Sequence, residues 1–305
     1  MTHQSAACLP SCLDSALRFT NAGVVVVDNS STDTSVEIAA NSRGVTLIAN
    51  SANRGFAAAV NQGFNALTDA DVVLLLNPDA VLLSDLAPLE RCFDDPQTAA
   101  ATGMLCDESG APQRGFTFRR FPTPAALCFE NLGINRLWPS NPINRKWRCL
   151  DMPLDQECQV DQPAGAFLLV RRAVWKELGG FDERFHPVWF EDVDFCLRVR
   201  QKGYTIWYKP AVSAAHQGGH SVRAVEWTSR QVYWNQNLLR FASLHFGLAS
   251  LLLIAITASI GAVVRGSFEA VRRGSPGPLR LPAFVVGAGV ATLRRALSST
   301  KGSDL

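Results

Sequence analysis

Two short runs set the limits on what this chain can become. Residues 24–27 are four consecutive valines and residues 72–76 read Val-Val-Leu-Leu-Leu, and each run stops at a polar turn, Asp28-Asn29-Ser30-Ser31 and Asn77-Pro78-Asp79. Strands without polar alternation are buried on both faces, which is the pattern of a sheet covered by helices on either side. Between the runs, 46–49 reads as a weaker strand ending at Asn50, and 56–67 as a helix entered through Asn53-Arg54-Gly55. Residues 167–170 and 205–208 continue the strands, while 191–202 and 226–246 have helical spacing. The alternation predicts an α/β chain with an open, mostly parallel, twisted sheet flanked by helices. Ligands on such sheets bind beyond the carboxyl ends of the strands. Asp28 and Asp79 both fall at that edge.

The 305 residues suffice for one large α/β domain with an appendage. The expected division is a catalytic domain over 1–246 and an apolar, basic helical tail over 247–305. A net charge of +2 gives no general nucleic-acid binder. The eight cysteines contain no Cys-x-x-Cys, so buried thiols are a better account than zinc or redox chemistry. Met1 to Ala7 is polar and does not read as a signal peptide. Residues 107–163 are rich in Pro, Asn, Arg and Trp without a period, and such a segment is functional or mobile. The turn after Val27 has no Gly-x-Gly-x-x-Gly, which argues against a nicotinamide-linked oxidoreductase.

The densest chemical signal is Glu191-Asp192-Val193-Asp194, which follows Trp189-Phe190. On a helix over 191–202, Asp192 shares a stripe with Phe195, Cys196 and Val199 and so faces the interior or a cleft. A helix N-terminus favours its ionised form, which suits a base. Asp194 and Arg198 are spaced to pair along the helix. Asp28 either accepts an N–H from a nucleobase or, with Asn29 to Ser31, caps the following helix. The Gly turn at Asn53-Arg54-Gly55 opens a small-residue helix whose free N–H groups, with Arg54, suit a diphosphate; plain helix–sheet packing is the alternative. Asp79 is a hard oxygen ligand of the kind Mg²⁺ or Mn²⁺ takes beside substrate phosphates, and His216 is a candidate second ligand.

Together these segments resemble glycosyltransferase family 2, in its bacterial rhamnosyltransferase-like branch. The resemblance rests on Val-Val-Asp-Asn-Ser-Ser-Thr-Asp at 26–33, Asn-Arg-Gly-Phe-Ala-Ala-Ala-Val-Asn-Gln-Gly at 53–63 and Leu-Leu-Asn-Pro-Asp-Ala at 75–80. It continues in Gly-Ala-Phe-Leu-Leu-Val-Arg-Arg at 165–172, Gly-Gly-Phe-Asp-Glu-Arg-Phe at 179–185, Glu-Asp-Val-Asp-Phe-Cys-Leu-Arg at 191–198 and His-Gln-Gly-Gly-His-Ser at 216–221. It implies a GT-A fold and inversion at the sugar carbon. By the same resemblance Asp192, with Glu191 beside it, deprotonates the acceptor, and Asp28 contacts the base of a nucleotide-sugar donor. Asp79 holds Mg²⁺ or Mn²⁺ on the diphosphate with His216 nearby. Asn29, Asn53, Arg54, Gly55, Asn61, Asn77, Gly165, Ala166 and Asp194 complete the expected substrate contacts.

The chain departs from the family in two places. Asn77 stands where the metal motif often has a second acid. Family members also begin with an apolar strand ahead of the helix matching 9–17, whereas residues 1–8 are few and polar. The expectation is a truncated or late-starting copy, with an open edge beside residues 24–27 and a base pocket missing one wall.

Residues 247–264 carry no charge, and from residue 265 onward seven basic residues stand against two acids. An 18-residue apolar stretch is at the lower limit for spanning a bilayer. With its basic flank it reads as an interfacial element at the cytoplasmic face of the inner membrane, near a glycan or polyprenyl-linked acceptor. A helix packed on the catalytic domain is the alternative. A catalytically impaired nucleotide-sugar-binding homologue remains the competing reading of the whole chain.

Overall fold

The structure is a computed structural model that describes residues 1–20, 23–218 and 225–301. In chain order the elements are α1 (Leu9–Phe19), β1 (Val24–Asp28), α2 (Ser35–Asn41), β2 (Val45–Ala49), α3 (Phe56–Ala66), β3 (Val72–Leu76), β4 (Ala80–Leu82), α4 (Ala87–Glu90), β5 (Thr98–Cys106) and β6 (Phe118–Arg119). They continue with α5 (Pro124–Asn131), α6 (Ile134–Leu137), α7 (Pro142–Trp147), β7 (Cys158–Gln159), β8 (Gln162–Pro163), β9 (Phe167–Arg171), α8 (Arg172–Leu178), α9 (Glu191–Gln201) and β10 (Thr205–His216). Three long helices follow: α10 (Trp227–His245), α11 (Leu248–Arg273) and α12 (Leu281–Lys301). The chain forms two compact units. One comprises Met1–Phe121, Arg148–Pro187 and Glu191–Ala224, the other Pro122–Trp147, Val188–Phe190 and Val225–Leu305.

The first unit is α/β, as the alternating runs predict. Its main sheet runs β3-β9-β5-β10-β4, with β7 beside β10. Pairing is mixed rather than mostly parallel. β1–β2 and β5–β10 are parallel, whereas β9 runs antiparallel to both β3 and β5, and β4 and β7 run antiparallel to β10. The cause is β9, which returns between β3 and β5 after the long excursion that begins at residue 107. That excursion has short elements of its own, and its hydrophobic period is hidden by its many turns.

Packing follows the apolar pattern. The small-residue face of α3, Ala57 to Val60, is buried and brings Phe64 flat against Trp175, with ring centroids 3.7 Å apart. Trp175, Phe181 and Phe195 form the aromatic centre under α9. β5 is buried almost throughout although its sequence, Thr-Ala-Ala-Ala-Thr-Gly-Met-Leu-Cys, lacks the β-branched runs that mark strands. Its small side chains admit the irregular β10, whose register shifts between Tyr208 and Ser213 around Pro210.

In the second unit, α11 buries a small-residue stripe that includes Ala258, Gly261 and Ala262. A Cβ at Gly261 would lie 1.9 Å from the Asn131 carbonyl oxygen, so only glycine permits that approach of α5. Composition alone puts a boundary at residue 246. The contacts instead group 122–147 and α10 with α11 and α12.

Gly103 offers a test of the sheet. A Cβ there would meet the Val212 carbonyl oxygen at 2.3 Å and the Phe167 ring at 2.6 Å. Gly103→Ala is expected to cost about 1–3 kcal/mol, as overpacking of a close-packed core does. Thermal denaturation checks it, and an unchanged midpoint would show that the β10 bulge yields freely.

Candidate active site

Asp28 closes β1, Asp79 sits just beyond β3, Asp192 and Asp194 lie in the first turn of α9, and each of the four has a different set of partners. Asp28, at the end of β1, is 1% exposed. It accepts from Thr2 Oγ1 (2.9 Å), Ser31 N (2.9 Å) and Ser31 Oγ (2.6 Å), so it braces the following turn. The cap at the start of α2 comes from Asp33, which accepts from Ser35 N and Oγ, not from Asn29 to Ser31. Thr2 supplies a single parallel bridge beside Asp28, so the edge of β1 is covered at its carboxyl end.

Asn29 is the organiser of the next loop. Its Nδ2 donates to Asn53 Oδ1 and to the Gly55 carbonyl, and its Oδ1 accepts from Arg54 N and Asn50 Nδ2. Asn53 Oδ1 also accepts from Gly55 N. Gly55 has φ +84°, and a Cβ there would stand 2.7 Å from the His186 ring. The first N–H of α3, on Phe56, donates to the Pro187 carbonyl at 2.7 Å. That donor is therefore taken within the protein. The Arg54 side chain remains exposed. Asn61 is also engaged in the scaffold. It donates to the Phe181 carbonyl and Glu183 and accepts from Phe181 N, which pins the Gly179-Gly180 turn to α3 rather than leaving an amide for substrate.

Asp194 is likewise structural. Arg198 holds its carboxylate at 2.8 Å and donates to the Leu178 and Gly180 carbonyls. Glu191 is buried at the start of α9. Asp192 stands apart from both. Its Oδ2 accepts from Gly165 N at 3.0 Å and Gln162 Nε2 at 3.4 Å, and its Oδ1 from Val193 N at 2.8 Å. Burial nevertheless pushes its pKa up, against the pull of these N–H groups and of the Arg119 charge. Desolvation outweighs the preference of a helix N-terminus for the ionised form. Gly165 eases this contact, because a Cβ would come within 3.3 Å of the Asp192 Cβ and the carboxylate would have to give way by a few tenths of an ångström. The next residue, Ala166, accepts from Asn77 N at 2.9 Å. Two consecutive residues thus tie Asp192 to the Asn77-Pro78-Asp79 turn.

Asp79 is buried, with His216 Nε2 3.5 Å from its Oδ1. Gln113 settles the proton on that imidazole. Its Nε2 donates to the His216 carbonyl at 2.6 Å, so its Oε1 is the atom 3.1 Å from His216 Nδ1. An amide oxygen only accepts, so Nδ1 carries the hydrogen and Nε2 presents a lone pair toward Asp79. Burial lowers the His216 pKa despite Asp79, which favours this neutral form. Phe116 stacks on the ring at 5.2 Å. Two acceptors facing each other across 3.5 Å suit a divalent cation with bonds of about 2.0–2.1 Å. Among the described residues no group of three or more His, Cys, Asp or Glu gathers to hold a metal. The Gly219 to Ser221 part of the motif after His216 lies outside the described residues. Gln113, Phe116 and Gln162 escaped the sequence reading because they lie in the segment without period.

Comparison with known proteins gives consistent findings. Residues 1–144 match the family described as Glycosyl transferase family 2. Rhamnosyltransferase WbbL of Escherichia coli is 28% identical over 174 residues, 56% of this chain and 62% of that protein, so the match spans under two thirds of the relative's length. N-acetylglucosaminyl-diphospho-decaprenol L-rhamnosyltransferase of Mycobacterium tuberculosis is 28% identical over 211 residues, 65% of this chain and 67% of the relative. In three dimensions, the crystal structure of GalNAc-T7 with UDP, GalNAc and Mn²⁺ is similar over 69% of this chain and 41% of that one, with a TM-score of 0.51 and 16% identity. That likeness supports the GT-A type of fold.

The electrostatics of Asp192 can be measured without any substrate. A ¹³C titration of its carboxyl carbon is expected to inflect above the ordinary aspartate range near about 3.9. An inflection at or below that range would mean that the N–H groups outweigh burial.

Proposed function

Starting from the match of residues 1–144 to glycosyl transferase family 2, we propose that this chain is an inverting glycosyltransferase that uses a nucleotide-diphosphate sugar. The observation that carries the reading is the backbone link through Gly165 and Ala166 between a desolvated carboxylate, Asp192, and the Asp79–His216 pair. A raised pKa makes Asp192 a stronger base once ionised. The ionised Asp192 accepts the proton of an acceptor hydroxyl, and the freed oxygen attacks the anomeric carbon. The bond from that carbon to the diphosphate breaks with its electron pair on the departing phosphate oxygen, and the configuration at carbon inverts. A divalent cation held by Asp79 and His216 would supply positive charge to the diphosphate. The two rhamnosyltransferase relatives favour a deoxyhexose such as rhamnose and a lipid-linked or cell-envelope glycan acceptor.

Asp192→Asn is expected to lower transfer by about 10²-fold or more, the usual worth of a general base, with donor binding retained. The acid limb of the wild-type rate profile should lie above the ordinary aspartate range, because the base must be ionised. Near-normal turnover of the variant would move the base to Glu191. Chelator should stop transfer and Mg²⁺ or Mn²⁺ restore it; full activity of both the chelated enzyme and Asp79→Ala would remove the cation from the reading. A second reading, a catalytically impaired nucleotide-sugar-binding homologue, is favoured by the three internal hydrogen bonds that Thr2 and Ser31 already give Asp28. Donor binding without nucleotide release by any acceptor would support it.

The proposal extends to the cytoplasmic face of a membrane. α11 buries Leu251 and Ile254 together with its small residues and leaves a second apolar face outside: Leu252, Leu253, Ile256 and Ile260 are 47–50% exposed. It is long and apolar enough to cross a bilayer by length and composition, but 39% of its most apolar window is buried in the protein. An interfacial seat suits such a half-covered helix, with the basic tail gaining about 1 kcal/mol per charge near anionic lipid. Flotation with anionic vesicles should carry the full chain. Glu at 252, 256 and 260 together should abolish it, and unchanged flotation of that variant would sink the idea.

A further inference from the structure

In the second unit, the short segment between α5 and α7 carries an apolar tip that the proposed chemistry does not use. Leu137 ends α6 and is 86% exposed, and Trp138 after it is 56% exposed. Among the described residues no other tryptophan is exposed. The charge around the tip has one sign. Residues 131–147 contain Arg136, Arg145 and Lys146 and no acid, and Arg136 and Lys146 are exposed. A single exposed leucine needs no explanation. This pair differs in how firmly the fold holds it out.

A network of buried amides pins the main chain of the tip from beneath. Trp138 N donates to the Ile134 carbonyl at 2.8 Å, and the Trp138 carbonyl accepts from Asn141 N at 3.1 Å and Asn141 Nδ2 at 2.7 Å. Asn144 Nδ2 donates to the Pro139 carbonyl at 2.7 Å, and Asn144 N to Asn141 Oδ1 at 2.8 Å. Asn141 Nδ2 also reaches Asn135 Oδ1 at 3.0 Å, and Asn135 Nδ2 reaches Glu130 Oε2 at 2.8 Å. Asn135, Asn141 and Asn144 are all buried. Connected buried amides of this kind fix one geometry. They take up the backbone at 138 and 139 and leave the Leu137 and Trp138 side chains outside. α5, from which the segment springs, is itself fastened to α11, because Arg265 Nη1 donates to the Asn131 carbonyl at 2.7 Å. A tip already ordered in the free protein loses little entropy when it docks.

We propose that the Leu137-Trp138 tip is a docking point for an anionic phospholipid surface. An indole has an apolar body and one N–H donor, which suits the headgroup level of a bilayer. Leu137 beside it enters the acyl boundary, and Arg136 and Lys146 meet the lipid phosphates. A sugar would stack on the indole face but would leave Leu137 in water. A protein partner would have to offer a fitted pocket to each side chain and acids to the bases, whereas a bilayer receives all four groups without a specific fit. The inference rests on the membrane reading of the second unit and goes beyond it, since that reading concerns the exposed face of α11 and this one concerns other residues on other elements.

The test uses the full chain labelled with fluorotryptophan, the Trp138 resonance being assigned by its loss in Trp138→Phe. Vesicles of phosphatidylcholine are compared with vesicles that also contain phosphatidylglycerol, each with a trace of spin-labelled lipid. In the anionic vesicles the spin label is expected to broaden the Trp138 resonance. Leu137→Ser with Trp138→Ser should weaken vesicle binding by about 10-fold or more, as loss of two buried apolar side chains does. The thermal midpoint of that variant should be unchanged, because both side chains lie outside the fold. Arg136→Gln with Lys146→Gln should weaken binding to the anionic vesicles by about 10-fold and leave binding to phosphatidylcholine alone as it was. The two membrane readings fail separately. Flotation of the wild-type chain with a sharp Trp138 resonance, or wild-type binding by the double serine variant, would overturn this proposal and leave α11 as the lipid contact. A broadened Trp138 in a floating Leu252→Glu, Ile256→Glu, Ile260→Glu variant would sustain this proposal and remove the α11 seat. A Trp138 resonance that shifts with a soluble chitin oligosaccharide and not with vesicles would overturn it in favour of a sugar platform. So would a lipid-free dimer that the double serine variant abolishes, which would make the tip a contact between copies of the chain.

Discussion

Leu76 stands opposite Phe167 where β3 and β9 pair antiparallel, and that register positions the rest of the candidate site. Antiparallel pairing puts the entry of β9 beside the exit of β3. The two residues ahead of Phe167 are therefore delivered to the turn that follows Leu76. Ala166 takes the Asn77 N–H, and Gly165 turns its own N–H to Asp192. A parallel β9 would put that entry at the far end of β3, and Asp192 would lose its link to the Asp79 turn.

The acidic groups of the site show how environment divides one chemistry into several roles. Asp28 is surrounded by hydroxyls and an N–H, Asp194 is neutralised by Arg198, and Asp79 faces a neutral imidazole. Asp192 has N–H partners but too little compensation for its burial, so its proton is held more tightly. A desolvated carboxylate is costly to the fold and useful to a base, which is the usual relation between strain and function at a site. Gln113 acts on His216 in the same spirit. By fixing the tautomer from the far side of the ring, it decides what the near side offers.

Glycine sets the closeness of approach in both units. Gly165 lets Asp192 reach backbone, Gly103 admits the β10 bulge, and Gly261 seats α11 against the Asn131 carbonyl. In each case the neighbour is main chain or a fixed carboxylate, which cannot move aside cheaply. The second unit shows the converse on its outside, where α11 leaves Leu252, Leu253, Ile256 and Ile260 exposed. An apolar face left outside beside a buried one is what the lipid-surface reading rests on.

The valine run at 24–27, the run at 72–76 and the acidic cluster at 191–194 carried the α/β class, the two strand-end carboxylates Asp28 and Asp79 and the position of α9, because hydrophobic periodicity and turn residues are local properties. β5 was not legible, since Ala and Thr become a central strand only when neighbours leave no room for larger side chains. Gln113, Phe116 and Gln162 were not legible either, because their partners are distant in sequence and their segment has no period. Asn61 and Asp194 carry the motif but serve the scaffold, a distinction that depends on which atoms meet across the fold. Whether Asp192 is governed by dipole or by burial was likewise a tertiary matter, since solvent exclusion is set by the whole surrounding wall. Sequence alone determined which groups are present and on which element each rides. Tertiary structure decided which of them meet, which are satisfied and which are left with chemistry to do, because hydrogen bonding and desolvation act through distances that the order of residues does not contain.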